Sequence, residues 1–220
     1  MNVKKFEQSL NKIKLLLEEE DKARDSVFQL QRKIIQKSSE AIKSIHRKEY
    51  DEADEKINDT KVMFNDMFNK VRGIKSLECW RGLEDAAQEI GEAIILNSVV
   101  REDEIPSVEE CHISFSGYLL ATSDAIGELR RYMLDSLRER DFENAQRAFD
   151  YMDYLYSELM TIDYTKMLVG PLRVKLDGAR NLVNKSRTDL LTAIQANDLK
   201  QSMSELADKL DKFKKSIKEK

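Results

Sequence analysis

Four acidic residues, spaced as pairs on two neighbouring stretches, are the residues of this chain best suited to chemistry. Glu89 and Glu92 lie in QEIGEAII, and Asp124 and Glu128 in SDAIGELRR. Separations of three and four put each pair on one face of a helix, because side-chain directions repeat with that period. If the two helices pack side by side, four carboxylates converge with too few cations nearby to neutralise them. Such a cluster repels itself unless a hard cation, Mg²⁺ or Mn²⁺, sits between the oxygens. A cation held by carboxylates is a common device for activating water against a phosphodiester. The same spacing also occurs on any solvated helix face, and Asp124 could simply pair with Arg131 or a lysine. Spacing alone leaves both readings open.

Other chemistries find little material. The chain has two histidines, His46 and His112, and two cysteines, Cys79 and Cys111, with no ligand-like spacing. A zinc site needs more of either, and the adjacent Cys111–His112 pair lacks a third, orienting group. A net charge of −4 argues against indiscriminate nucleic-acid binding but permits a local basic patch. No apolar run approaches the length of a membrane span, and the start, MNVKKFEQSL, lacks the apolar core of a signal peptide. The sequence therefore predicts a soluble, cytoplasmic protein with no membrane partner.

Long helices must position the acids. Among 220 residues there are only seven glycines and two prolines, too few for the turns of an all-β or α/β fold. Apolar periodicity predicts a first helix from about Val3 to His46, with Leu10, Ile13, Leu17, Val27, Leu30, Ile34, Ala41 and Ile45 on its stripe. A second runs from about Glu52 to Val71 with Ile57, Val62, Met63 and Met67 inward, and Gly73 closes it. The third, from about Lys75 to Val100, buries Leu77, Trp80, Leu83, Ala87, Ile90 and Ile94. Pro106 breaks the chain, and Ser107 with Glu109 and Glu110 starts a short turn. A fourth helix spans about His112 to Arg138, with Phe115, Leu119, Ile126, Met133 and Leu137 inward. Asp141 caps a fifth that reaches about Asp163. After Gly170 and Pro171, a sixth helix is expected from Leu172 to Ile194 and a seventh from Leu199 to the lysine-rich end. The whole reads as one all-α domain, residues 1–220, a bundle of about seven helices.

On the fourth helix, Gly117, Ala121, Asp124, Glu128 and Arg131 lie opposite the apolar stripe. Small residues there allow a neighbouring backbone to come close, which makes a lined cleft the expected setting of the acids. Glu89 and Glu92 flank the stripe of the third helix, at the edge of the core.

Several segments taken in order resemble the translin family, and more closely its translin-associated factor X branch. They are YLLATSDAIGELRRYMLDSLRERDF from Tyr118 to Phe142, PLRVKLDGARNLVNK from Pro171 to Lys185, and WRGLEDAAQEIGEAIIL from Trp80 to Leu96. About half the chain is covered well, and the N-terminal helices match only in helical character. The resemblance implies a seven-helix bundle that assembles into closed homo-oligomers of six to eight subunits with RNA inside. It also implies endoribonuclease action. In the factor X branch the metal-binding catalytic acids occupy the two pairs, and Glu89, Glu92, Asp124 and Glu128 are acidic at all four matching positions. The ligands expected from the resemblance are RNA, single- or double-stranded, and single-stranded DNA, with Mg²⁺ or Mn²⁺ as cofactor. Lys75, Arg81 and Arg131 are the candidates to contact RNA phosphates, since guanidinium forks suit phosphate oxygens. The histidines of translin's own RNA-binding stretch are missing from KSLECWRG. Trp80, on the apolar stripe, reads as core in preference to a base-stacking platform. The competing reading is a non-catalytic RNA- or single-stranded-DNA-binding protein on the same fold.

Overall fold

The computed structural model describes residues 3–78 and 80–218, without the side chains of Lys75, Glu78, Asp211, Phe213 and residues 215–218. Cys79 lies outside the described residues. The described chain is all-α. Six long helices, α1 (Lys4–His46), α2 (Tyr50–Val71), α4 (Arg81–Arg101), α6 (Phe115–Glu139), α7 (Phe142–Met160) and α9 (Leu172–Lys218), are joined through three single-turn helices, α3 (Lys75–Glu78), α5 (Val108–Cys111) and α8 (Lys166–Val169).

The packing order follows from which helices are apolar on more than one side. α4 buries Ala86, Ala87, Ile90, Gly91, Ala93, Ile94, Ile95 and Leu96, so it presents apolar surface in several directions and must lie inside. The α1–α2 hairpin covers one side of it and α6 the other, while α7 and α9 pack on the far side of α6. α4 and α6 approach closely because small residues face each other. A Cβ added to Gly91 would lie 2.7 Å from the Cβ of Ala121, and one added to Gly117 would lie 2.8 Å from the Cβ of Ala87.

Caps set the helix limits near the site. The Ser114 hydroxyl accepts from the Gly117 amide at the start of α6, and the Asp141 carboxylate accepts from the Asn144 amide at the start of α7. Ser107 and Glu110 form a reciprocal capping box at α5.

Several expectations change. The third predicted helix is two pieces, because Trp80 takes an extended conformation (ψ 124°) between α3 and α4. Its ring packs at a tilt against Phe28, with centroids 4.5 Å apart, and folds over Gly82, where a Cβ would meet the indole at 2.1 Å. Trp80 is therefore core-facing, as its stripe predicted. α6 begins at Phe115 and not at His112, which adopts left-handed backbone (φ 54°) and ends α5. Phe115 is exposed, since it precedes the part of α6 that α4 covers, and Val62 is exposed because it lies opposite Phe64 and Met67 on α2. The expected break between Ile194 and Leu199 is absent, and α9 runs unbroken for 47 residues. No glycine or proline follows Gly178, so nothing local stops it.

Candidate functional site

Glu89 and Glu92 on α4 face Asp124 and Glu128 on α6, beside the Gly91–Ala121 contact. The small residues of α6 are themselves packed under α4, with Gly117 and Ala121 buried. The acids occupy the rim of this seam, half-buried, and do not line an open cleft formed by the small residues.

Charge in the cluster is uneven. Burial pushes the Glu92 carboxyl up to about 8, and the neighbouring charges of Asp124, Glu89 and Glu128 push the same way. Glu89 is raised by burial and then by Asp124. Burial first, and the neighbouring carboxylates second, bias both groups toward the protonated form, with Lys175 opposing them. Asp124 and Glu128, in contrast, are engaged. Lys175 Nζ donates to Asp124 Oδ1 at 2.5 Å, and Gln88 Nε2 donates to Asp124 Oδ2 at 2.7 Å. His46 Nε2 lies 2.6 Å from Glu128 Oε2, and Arg131 Nη1 lies 3.6 Å from the same oxygen. The His46 hydrogen bond holds Glu128 below its ordinary value against the opposing effect of burial.

An imidazole and an ammonium, those of His46 and Lys175, therefore reach the cluster, and spacing on the acid-bearing helices did not reveal them. His46 is the last residue of α1, and its ring is only 4% exposed, with Nδ1 buried and without a hydrogen-bond partner. Lys175 lies in the first turn of α9, where Gly170 (φ 59°) and Pro171 redirect the chain toward α6. Buried Leu172 and Leu176 fix that turn against the bundle. No local signal marks either residue. Each comes from a helix remote in sequence from the acids and reaches them only through the fold.

The donor set suits a hard divalent cation in kind: four carboxylates, two of them short of positive charge. The side chains as they stand do not cage one. Among the described residues no group of three or more His, Cys, Asp or Glu side chains is arranged to hold a metal ion. Asp124 is engaged by Lys175, and Glu128 by His46.

Of the residues expected to contact RNA, Arg81 has an exposed side chain whose nearest acid is Asp85 at 3.7 Å. It lines a cleft of about 280 Å³ with Glu84, Asp85, Gln88, Ser116 and Lys166. Because Gln88 also donates to Asp124, that cleft opens directly beside the carboxylates. Arg131 is half-exposed and pairs with Glu128, while Asp124 takes a lysine, Lys175. The Lys75 side chain lies outside the described residues. Cys111 is a buried free thiol that burial raises to about 11, while His112 is exposed, so that pair has no catalytic character.

The architecture has close counterparts. A solved complex of AfC3PO with duplex RNA superposes with a TM-score of 0.76 at 28% identity, over 86% of this chain and 97% of that one. The crystal structure of AfC3PO gives the same TM-score, identity and coverage of this chain, and covers 98% of its own. An uncharacterized protein of Methanocaldococcus jannaschii is 31% identical over 199 residues, 88% of this chain and 86% of that protein. This chain has the translin-family fold. The structure of apo-NeC3PO, 24% identical with a TM-score of 0.71 over 82% of this chain and 96% of that one, shares the translin fold. No family model matches the sequence. Three of the four carboxylates, Glu89, Glu92 and Asp124, meet within this translin fold at the α4–α6 seam, and Glu128 joins them one turn further along α6. No helix among the described residues is long and apolar enough to cross a membrane.

Proposed function

We propose that this protein is a metal-dependent endoribonuclease of the factor X branch, cleaving RNA inside a closed homo-oligomer of six to eight subunits. The observation that carries the reading is the raised Glu92, a carboxyl pushed up to about 8 by burial, by Asp124 and Glu128 on the facing α6, and by Glu89 on its own helix. A structural bundle gains nothing from such a cluster, since unpaired buried acids cost stability. Likeness to a C3PO bound to duplex RNA supports RNA as the ligand.

Glu89, Glu92, Asp124 and Glu128 would hold Mg²⁺ or Mn²⁺. Bound there, the cation supplies Lewis acidity toward a phosphate oxygen and acidifies coordinated water. The chain's own residues do the rest. His46 keeps Glu128 ionised and fixes its direction, which suits this carboxylate to orient a water. Gln88 positions Asp124 from the cleft side. Arg81, projecting from the mouth of that cleft, contacts the phosphate backbone.

Cleavage of a labelled RNA by the purified protein, with Mn²⁺ and with chelator, tests the reading. Metal-dependent internal cleavage is expected. Binding without cleavage under both conditions would leave the non-catalytic alternative, which the engagement of Asp124 by Lys175 favours. Either way binding should be tolerant of sequence and strongly salt-dependent, because the contacts are to phosphates. Arg81→Ala should weaken binding to all RNAs about threefold to tenfold and lower the salt slope by about 1. A base-specific effect in a filter-binding series would point instead to direct readout.

Assembly follows from surface that the chain leaves uncovered. Phe6, Leu10, Ile13 and Leu16 on α1, and Leu199, Met203, Leu206 and Leu210 on α9, are all exposed. Apolar stripes of this extent are usually buried between subunits. Light scattering at micromolar concentration should report an oligomer, and a monomer there would rule out the closed assembly.

A further inference from the structure

Both oxygens of Asp124 are already taken, one by Lys175 and the other by Gln88. A hard cation binds at about 2.0–2.1 Å from carboxylate oxygens and tolerates no ammonium on the same lone pair. The Lys175 charge also reaches further than its direct contact, since it pulls down both Glu89 and Glu92. One lysine thus offsets three of the four acids. Its partner on α6 and its own side chain are each about a quarter exposed, so water can solvate the ammonium once it leaves. A four-carbon stem with free rotamers makes that departure a side-chain motion alone.

Resting on the metal-site reading above, we propose that Lys175 is the internal counter-cation of the cluster: it holds Asp124 in the metal-free protein and competes with the divalent cation for it. Metal binding then exchanges one positive charge for another. The ammonium leaves Asp124 as the cation arrives, and the observed metal affinity is the intrinsic affinity reduced by the strength of the Lys175 contact. A neutral side chain at 175 removes the competitor and leaves all four carboxylates in place.

Mn²⁺ binding to the intact, purified protein tests this directly, by titration with electron paramagnetic resonance detection of free Mn²⁺ and without RNA. Lys175→Met and Lys175→Gln should each bind Mn²⁺ about tenfold or more tightly than wild type. Lys175→Arg, which keeps the charge, should not gain affinity. Circular dichroism on the same samples confirms that each variant remains helical, and two neutral variants guard against one misfolding. A lysine that only supports the fold would leave Mn²⁺ affinity unchanged or reduce it when removed. Equal or weaker binding by both neutral variants, with wild type binding, overturns the counter-cation role and leaves the metal site standing. Absence of Mn²⁺ binding in wild type and neutral variants alike overturns the metal site and this role together. Binding by the neutral variants only is the strongest support for the competition.

Discussion

The Asp124→Asn protein should lose cleavage by about 100-fold or more while retaining RNA binding and assembly. Asparagine keeps the shape of the side chain and an oxygen for the Gln88 amide, but a neutral amide is a poor ligand for a hard cation. Sequence alone suggests that the substitution leaves the metal-free protein unharmed, because it relieves repulsion among the acids. The structure adds an opposing effect. Asp124 raises both Glu89 and Glu92, so its removal does relieve them, yet Lys175 loses its direct partner. The ammonium stays in the field of two other carboxylates, and the two effects offset to within about 1 kcal/mol. Cleavage rates beside urea melts separate the outcomes. Undiminished cleavage removes Asp124 from the site, whereas lost cleavage with a collapsed melting transition assigns it a structural role.

Glu92→Gln should change the pH dependence of stability as well as activity. In the folded protein Glu92 keeps its proton up to about pH 8, while in the unfolded chain it releases it near the ordinary value of 4.5. Between these limits the folded state binds more protons than the unfolded state, so its stability falls as pH rises. A shift of this size corresponds to on the order of 3 kcal/mol by pH 8, after allowing for partial solvation and coupling to the neighbouring acids. Glutamine does not titrate. The variant should therefore match wild type near pH 4.5 and exceed it by roughly that amount at pH 8, and it should lose metal-dependent cleavage. Denaturant unfolding at both pH values gives the comparison. A constant offset between the two proteins would show that Glu92 titrates as an ordinary exposed acid.

How far the sequence reaches depends on whether a feature is local. Helix limits set by Asp141, by Ser107 with Glu110, and by Gly170–Pro171 were readable because capping and breaking are decided within a few residues. The acid pairs were readable for the same reason, through spacing along one helix. The Trp80 break was not, since it depends on Phe28 receiving an indole from 52 residues away. Nor were Lys175 and His46, whose contacts with Asp124 and Glu128 cross the bundle. The same limit applies to Gly117 and Ala121. Their size announced a close approach, but only the register of α4 against α6 decides that they are buried and that the acids take the rim.

The long outer helices have a consequence for local order. From residues 4 to 22 every side chain of α1 is exposed, and from Asp198 to Leu210 the same holds for α9. An isolated helix of this length is marginal in water, because propagation barely outweighs the cost of nucleation and tertiary packing normally supplies the difference. Opening at these ends costs far less than opening at Ile90 or Ile126 in the centre. Amide protons there exchange with solvent at rates set by how much of the stripe another surface covers. The two ends are thus a gauge of contact, read hydrogen by hydrogen, along helices whose other ends carry His46 and Lys175 to the carboxylates.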